Sequence, residues 1–565
     1  MFRQGGLALW VVVMTAGAIA QESNPGMPVG ESALANTHKP FERSEKREPC
    51  ADYQPLRRPF FGDKHVHTLW SFDASAQDTR NTPADAYTFA RGGPIRIQPY
   101  DEKGRGMREI RIDRPLDFAA VTDHAEFMGE ILLCGTEDAP AYNHPVCWAH
   151  RNYPSLTQIA FGGIGLSLKR RWGYCGDNGE ACLKASEDTW QRVRQDAEDA
   201  YDRSSDCSFT SFVGYEWTST VNRGTNMHHN VIFRNNTVPA RPMSWMDTPS
   251  ITELWQYLEQ DCVADVPGCD AVAIPHNTNL SRGLVFESPS AGTADTPRQA
   301  MTVEEAGRRA HWSPLFEVMQ HKGSSECDSR QAQWAGDEFC AFEKLPYDTF
   351  GTKNTGDDAS GGLFWLKRLF GGEEMRNIKP PPSTAYLRHA LKKGLQQQEE
   401  LGVNGFKYGL ISSTDTHIAA PGLVMEKNHP GHGGAGMGSG DGVPTGLPDE
   451  LEFNPGGLAV LYAEENSRDA LFASMRRREA YATSGTRPVL RFFGGWEYSP
   501  DLCAAPDMVS RGYDGGVPMG SDLPPAPPGG TQGPRFVLSA HADPGTHDYP
   551  GNPLQRIQLV KGCLL

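Results

Sequence analysis

Nothing in this chain of 565 residues is apolar for long enough to cross a bilayer. Leu7 to Thr15 is the nearest case. It follows Arg3 and precedes the small-x-small pattern Ala18-Ile19-Ala20, which reads as an export leader cleaved before Gln21. No Cys follows that point, which argues against a lipid anchor, so a periplasmic or secreted protein without stable membrane insertion is expected. Positive charge is also scarce. Lys and Arg number 54 against 70 Asp and Glu, and the net charge of −16 argues against nucleic acid as a partner of the whole surface. A small anionic substrate stays open, because metal cations and a few arginines can invert the potential locally. The familiar signatures of several enzyme classes are missing. There is no G-x-S-x-G elbow, no phosphate-binding loop ending in Lys-Ser/Thr, no dinucleotide fingerprint opening a helix and no H-E-x-x-H. No C-x2-C pair exists either, so the twelve cysteines read as disulfides of an oxidising compartment rather than zinc ligands. Cys134/Cys147, Cys175/Cys182, Cys262/Cys269 and Cys327/Cys340 are the sequence-near pairs.

What the chain does have is a recurring unit: a short apolar run beside a candidate metal ligand. PFFGDKHVH carries His65 and His67, DFAAVTDH carries Asp123 and His124, and SFVGYEW carries Glu216. MHHNVIF carries His228 and His229, AVAIPHN carries His276, and GLISSTDTH carries Asp415 and His417. Such runs read as buried strands of a parallel sheet, most with the ligand where the strand gives out, as at the C-terminal face of an α/β barrel. Mixed imidazole and carboxylate donors suit Zn, Mn or Fe better than Ca or Mg alone.

Each element is read against a plainer alternative. His65 and His67 are two apart on a strand and point the same way, so both can reach one cation. Asp63 beside them could orient an imidazole, and surface or core histidines are the poorer account. Thr122-Asp123-His124 alone could cap a helix, but Thr414-Asp415-Thr416-His417 repeats its kind. Glu216 could bridge two cations or pair with Arg223. Of His228 and His229, one is expected to face the site, and His229 is preferred. Glu317 and His321 could line a pocket or make structural hydrogen bonds, and His429 and His432 lie in glycine-rich sequence. Arg282, Lys322 and Arg487 are candidate anion contacts, with Arg487 first because SGT precedes it.

Along the chain, residues 1–20 read as the leader and 21–57 as a polar lead-in. Residues 58–488 read as a catalytic body with long insertions (128–208 and 322–405), and 489–565 as a small β-rich region holding RFFGGW, RFVLSA and RIQLV. Helices are expected at 83–92, 188–202 and 384–402. The segment 429–448 is glycine-rich and reads as a connector, with a lid as the sharper alternative.

Taken together, FGDKHVHTLWSFDA, DFAAVTDHAEF, GYEWTS, NMHHNVIFR, IPHNTNLSRG, FEVMQHKGSSEC, GLISSTDTHIAAPG and REAYATSGTRP resemble the polymerase-and-histidinol-phosphatase (PHP) superfamily of metal-dependent phosphoesterases. They look closest to its secreted bacterial branch, catalogued as a domain of unknown function. The resemblance implies a distorted (β/α)7-type PHP barrel holding two or three metal ions. By motif position it implies His65, His67, Glu216 and Asp415 at one metal, Glu216 with His229 and His276 at a second, and His124 and His417 at a third. Asp73 stands where many relatives have histidine, which favours a harder ion there. Relatives often continue past the segment that RIQLVKGCLL resembles.

The expected function is hydrolysis of phosphate-type esters by metal-activated water, with Asp123 or a metal-bound carboxylate taking the proton and Arg487 or Arg282 holding the anion. A sulfate ester hydrolase, a metal-dependent amidohydrolase and a non-catalytic extracellular binding protein with a structural metal site are the alternatives. The amidohydrolase is disfavoured because no lysine stands obviously at a strand end.

Overall fold

The computed structural model describes residues 8–14, 41–154, 157–221, 225–248, 250–278, 281, 283–288, 300–342, 383–425, 455–530 and 532–564. Ten strands carry or flank the ligand-bearing runs: β1 (Arg58–Asp63), β2 (Phe118–Ala120), β3 (Thr210–Phe212), β4 (Gly214–Trp217), β5 (His229–Phe233), β6 (Ala271–Pro275), β7 (Leu315–Gln320), β8 (Gly409–Ser412), β9 (Leu458–Ala463) and β10 (Ala480–Thr483). They pair as three small sheets. The first has the order β10-β9-β1-β2-β3, with β1, β2 and β3 mutually parallel and β9 antiparallel to both of its neighbours. The second is antiparallel, β6-β5-β4. In the third, β7 runs parallel to β8.

The expected closed barrel is not what these strands form: the architecture is mixed α/β, with several small sheets and no continuous closed ladder among the described residues. Val213 separates β3 from β4, and a register shift between Glu317 and Met319 interrupts the β7–β8 ladder. Single backbone hydrogen bonds bridge such seams, Phe233 N–H to Val213 O at 2.9 Å and Gly457 N–H to Ser413 O at 2.9 Å. The sheets nevertheless share one core, since Phe60, Phe118, Phe212, Ile232, Val272, Leu315, Ile411 and Leu461 come from eight strands and pack into one cluster. Strands buried on both faces explain why these runs lack apolar–polar alternation.

The helices sit outside. α1 (Pro83–Ala90) starts with proline and a Thr82/Asp85 capping box, as its sequence suggests. α2 spans Glu180–Ala200, beginning earlier than the spacing alone indicates, and α3 spans Leu387–Leu401 and ends at Gly402 with φ +75°. After Pro488 come β11 (Val489–Gly495) and β12 (Arg535–His541), antiparallel neighbours in a small sheet. RIQLV does not join that sheet: Arg556–Gly562 pairs in parallel with Ala8–Met14, inside the segment read as leader.

All four sequence-near cysteine pairs are disulfides, and a fifth, Cys50–Cys207, ties the lead-in to the turn before β3. Five disulfides fit an extracellular or periplasmic protein, and among the described residues no helix is long and apolar enough to cross a membrane.

Arg468 locks the outer layer to the lead-in. Its buried guanidinium donates to Glu45 (3.0 Å), Glu198 and the carbonyls of Ser211 and Ala197. Arg468→Met leaves Glu45 and Glu198 to Arg203 and removes the donor to the Ser211 and Ala197 carbonyls, so we expect a loss of about 2 kcal/mol, read as a lower urea midpoint. A midpoint equal to that of the parent would contradict this.

Candidate metal centre

Two parallel bridges draw the strand ends together. Val66 faces Thr416 and His124 faces Glu216. Asp415 N–H donates to His65 O (3.0 Å), His67 N–H to Thr416 O (2.8 Å) and Glu216 N–H to Asp123 O (3.0 Å). The His65/His67 pair therefore meets the Asp415/His417 pair, and His124 meets Glu216. Asp415 sits at φ +56°, a conformation that Asp tolerates better than most residues and that is found more often at functional positions.

Three carboxylates centre the cluster. Glu216 lies 3.3 Å from His65 Nε2, 3.4 Å from His67 Nε2, 3.2 Å from His124 Nδ1, 2.9 Å from His228 Nδ1 and 3.5 Å from His276 Nε2. Asp415 lies 3.2 Å from His65 Nε2, 2.9 Å from His67 Nε2 and 3.0 Å from His321 Nε2, and is bonded to Lys322. Asp73 joins His124 Nε2 (3.0 Å) to His417 Nε2 (2.9 Å). Nearly all of these side chains are buried, and only Asp73 and Lys322 reach solvent appreciably.

Burial should neutralise such acids, yet neighbouring imidazoles outweigh it. His124, His65 and His228 hold Glu216 well below the usual carboxylate range, and His124 and His417 do the same for Asp73. His65, Lys322 and His321 hold Asp415 down. Burial works against charge on the histidines too, but Asp73 and Glu216 carry His124 up to about 9, and Asp415, Glu317 and Glu216 raise His65 well above its ordinary value. Burial prevails at His67 and His276, both lowered to about 4.

Outer hydrogen bonds set which ring nitrogen faces inward. His65 Nδ1 meets Glu317 at 2.9 Å, His67 Nδ1 meets Ser71 Oγ at 2.9 Å, His276 Nδ1 meets Asn277 O at 2.7 Å and His417 Nδ1 meets Asp415 O at 2.8 Å. In each case Nε2 is left toward a carboxylate, as an orienting partner of a metal ligand would leave it. The donor set fits divalent cations: four triads place their ligand atoms within 4.8 Å of one another, namely His65/His67/Glu216, His67/Asp415/His417, His67/Asp73/His124 and His124/Glu216/His228. Nε2 of His228 and of His229 are both buried without a hydrogen-bond partner, so that feature does not separate the two.

Several expected site residues lie elsewhere. His229 turns away: its Nδ1 meets Met227 O at 2.9 Å, its ring faces Trp217, and burial lowers its pKa to about 3. The reason is register. Glu216 is paired with Asn230, so Asn230 and His228 share its face, while His229 takes the opposite one. Asp123 accepts from Thr68 N–H (2.5 Å) and Thr68 Oγ1 (2.6 Å), with burial raising it to about 7; it braces the turn after His67 instead of facing the cluster. Asp63 likewise binds the Thr414 hydroxyl and the Gly422 N–H rather than an imidazole. Arg487 donates to the carbonyls of Arg114 (2.6 Å) and Pro115 (2.9 Å), away from the cluster. Arg282, His429, His432 and the 429–448 segment lie outside the described residues. Glu317, His321 and Lys322, read from sequence as uncertain, are all in contact with the centre. The signal for Glu317 was a carboxylate inside an apolar strand, which needs a buried partner.

A family model described as "Protein of unknown function (DUF3604)" matches residues 54–565. The chain belongs to that family. No curated protein and no solved structure matches it. Membership spans the lead-in's end, all three sheets and the C-terminal region, so the whole cluster falls within the family's extent.

The geometry separates two adjacent histidines. We expect His228→Ala to lower the bound Zn or Mn per chain, measured by plasma mass spectrometry, and His229→Ala to leave it unchanged. The reverse ranking would refute the placement.

Proposed function

We propose that this chain is an exported metal-dependent hydrolase of phosphate-type esters. The observation that carries the reading is that three carboxylates and the imidazoles of His65, His67, His124, His228, His276, His321 and His417 converge where the strand ends meet the short helix Phe72–Ala76. A structural site needs about four ligands, closed around one ion. Seven imidazoles sharing three carboxylates favour several ions and an open position.

In this reading, Glu216, His65, His67 and Asp415 would hold one ion, and Glu216, His228 and His276 a second. Asp73, His124 and His417 hold a third. Such ions supply Lewis acidity and bring a water's pKa toward neutrality. The protein's own groups do the rest. Glu317, Ser71 and the carbonyls of Asn277 and Asp415 keep each imidazole in the required tautomer and orientation. Asp123 and Asp63 pin the turns after His67 and before Asp415, so the donors are fixed before substrate arrives, as preorganised electrostatic catalysis requires. A distorted PHP-type barrel is part of the same proposal. Its support is the shared core of eight strands and the parallel pairings β1–β2–β3 and β7–β8.

The test is turnover of p-nitrophenyl phosphate by the mature protein loaded with Zn, Mn or Fe. We expect chelator-sensitive activity with two or three ions per chain, and its loss in His65→Ala/His67→Ala with the far-ultraviolet circular dichroism retained. A protein that binds no metal and turns over no phosphate or sulfate ester would overturn the reading.

A further inference from the structure

We propose that Lys322 binds the anionic head of the substrate and makes the site prefer doubly charged phosphate monoesters over singly charged diesters and sulfate esters. This rests on the hydrolase reading above and adds a substrate class to it.

Lys322 stands two residues past the end of β7, at the turn where Gly323 (φ +91°) sends the chain back as Gly323–Ser324. Its Nζ is bonded to a carboxylate oxygen of Asp415, lies 2.7 Å from His321 Nε2 and 3.3 Å from Gln320 Oε1. Its side chain is 18% exposed, against 3% for Asp415 and 1% for Glu216. Among the described groups bonded to Asp415, the ammonium is the most exposed to solvent. Arg487, the stronger candidate by sequence, is engaged with two carbonyls elsewhere.

A cation ligated by Asp415 draws on the same carboxylate that Lys322 uses. Lysine is suited to such sharing. Its head is a compact point charge with three donors on a flexible stem, able to keep its bond to Asp415 while exchanging its contact with His321 or Gln320 for a ligand oxygen. An Arg fork would demand two oxygens in one plane. Coulomb attraction scales with the ligand's charge, so a monoester dianion gains twice what a monoanion gains from the same ammonium. Diesters and sulfate esters carry one charge each. The discrimination thus follows from one residue, without any change in the metal ligands.

The experiment compares the metal-loaded full chain with Lys322→Met and Lys322→Arg, at a pH near 8 where inorganic phosphate is largely dianionic. Phosphate and sulfate affinity are read by isothermal titration calorimetry. kcat and KM are measured for p-nitrophenyl phosphate, bis(p-nitrophenyl) phosphate and p-nitrophenyl sulfate, and metal content is measured alongside. We expect Lys322→Met to weaken phosphate binding about 30-fold and monoester kcat/KM about 100-fold, with diester and sulfate-ester kcat/KM lowered only about 10-fold, as half the Coulomb energy requires. Metal content should be unchanged and Lys322→Arg should recover part of the loss. Equal losses on all three esters, or loss of metal, would overturn the proposal and make Lys322 a positioning residue for Asp415. Unchanged phosphate affinity would also overturn it. If the parent hydrolyses none of the esters, the hydrolase reading fails by itself, and the phosphate titration still decides whether Lys322 holds an anion.

Discussion

A single carboxylate, Glu216, is buried against five imidazoles, and the arrangement of the strands around it follows from keeping that group ionised. An isolated buried carboxylate would take up a proton rather than bear the cost of desolvation. Here His65, His67, His124, His228 and His276 all approach within 3.5 Å. They come from four separate stretches of chain. Supplying them requires β4, β5 and β6 in one register and the turn after β1 pressed against the end of β2, and the sheets have both.

The same need explains where the backbone is unusual. Asp415 takes a left-handed conformation, Asp63 and Asp123 are spent on backbone N–H and hydroxyl groups, and the β7–β8 ladder breaks beside Glu317. Each of these departs from an ordinary strand end, and each holds an imidazole or carboxylate pointing inward. The cluster is dense in both signs of charge, which divalent cations can exploit because ligand histidines must be neutral and ligand carboxylates ionised. His67 and His276 already tend to the neutral state, and Glu216, Asp73 and Asp415 to the ionised one.

Much of this was legible in the sequence, for a physical reason. Strands buried on both faces are short apolar runs, and a ligand at the end of such a run stands out. That rule found His65, His67, His124, Glu216, His276, Asp415 and His417. Asp73 came only from the family resemblance, since a lone acid opening a short helix at Phe72–Ala76 has no signature. The rule preferred His229 over His228, and the structure reverses that choice, because it is a matter of strand register, fixed by the pairing of Glu216 with Asn230. It overrated Asp123 and Arg487, because proximity to a motif does not reveal that a side chain's bonds go to Thr68 or to the Arg114 and Pro115 carbonyls. The four short-range disulfides followed from spacing, but Cys50–Cys207, separated by 157 residues, had no local sign. The distorted barrel that the resemblance implies does not form a continuous closed ladder among the described residues, since breaks at Val213 and Glu317 do not show in hydropathy.

The central claim is that these donors hold a multi-metal centre around Glu216. The most direct test is anomalous diffraction from crystals grown with Mn or Zn, collected on both sides of the metal edge. The account predicts two or three anomalous peaks, one between His65, His67, Glu216 and Asp415 and one beside His228 and His276, with His229 outside every coordination sphere. A single peak enclosed by four ligands, or none at Glu216, would contradict it.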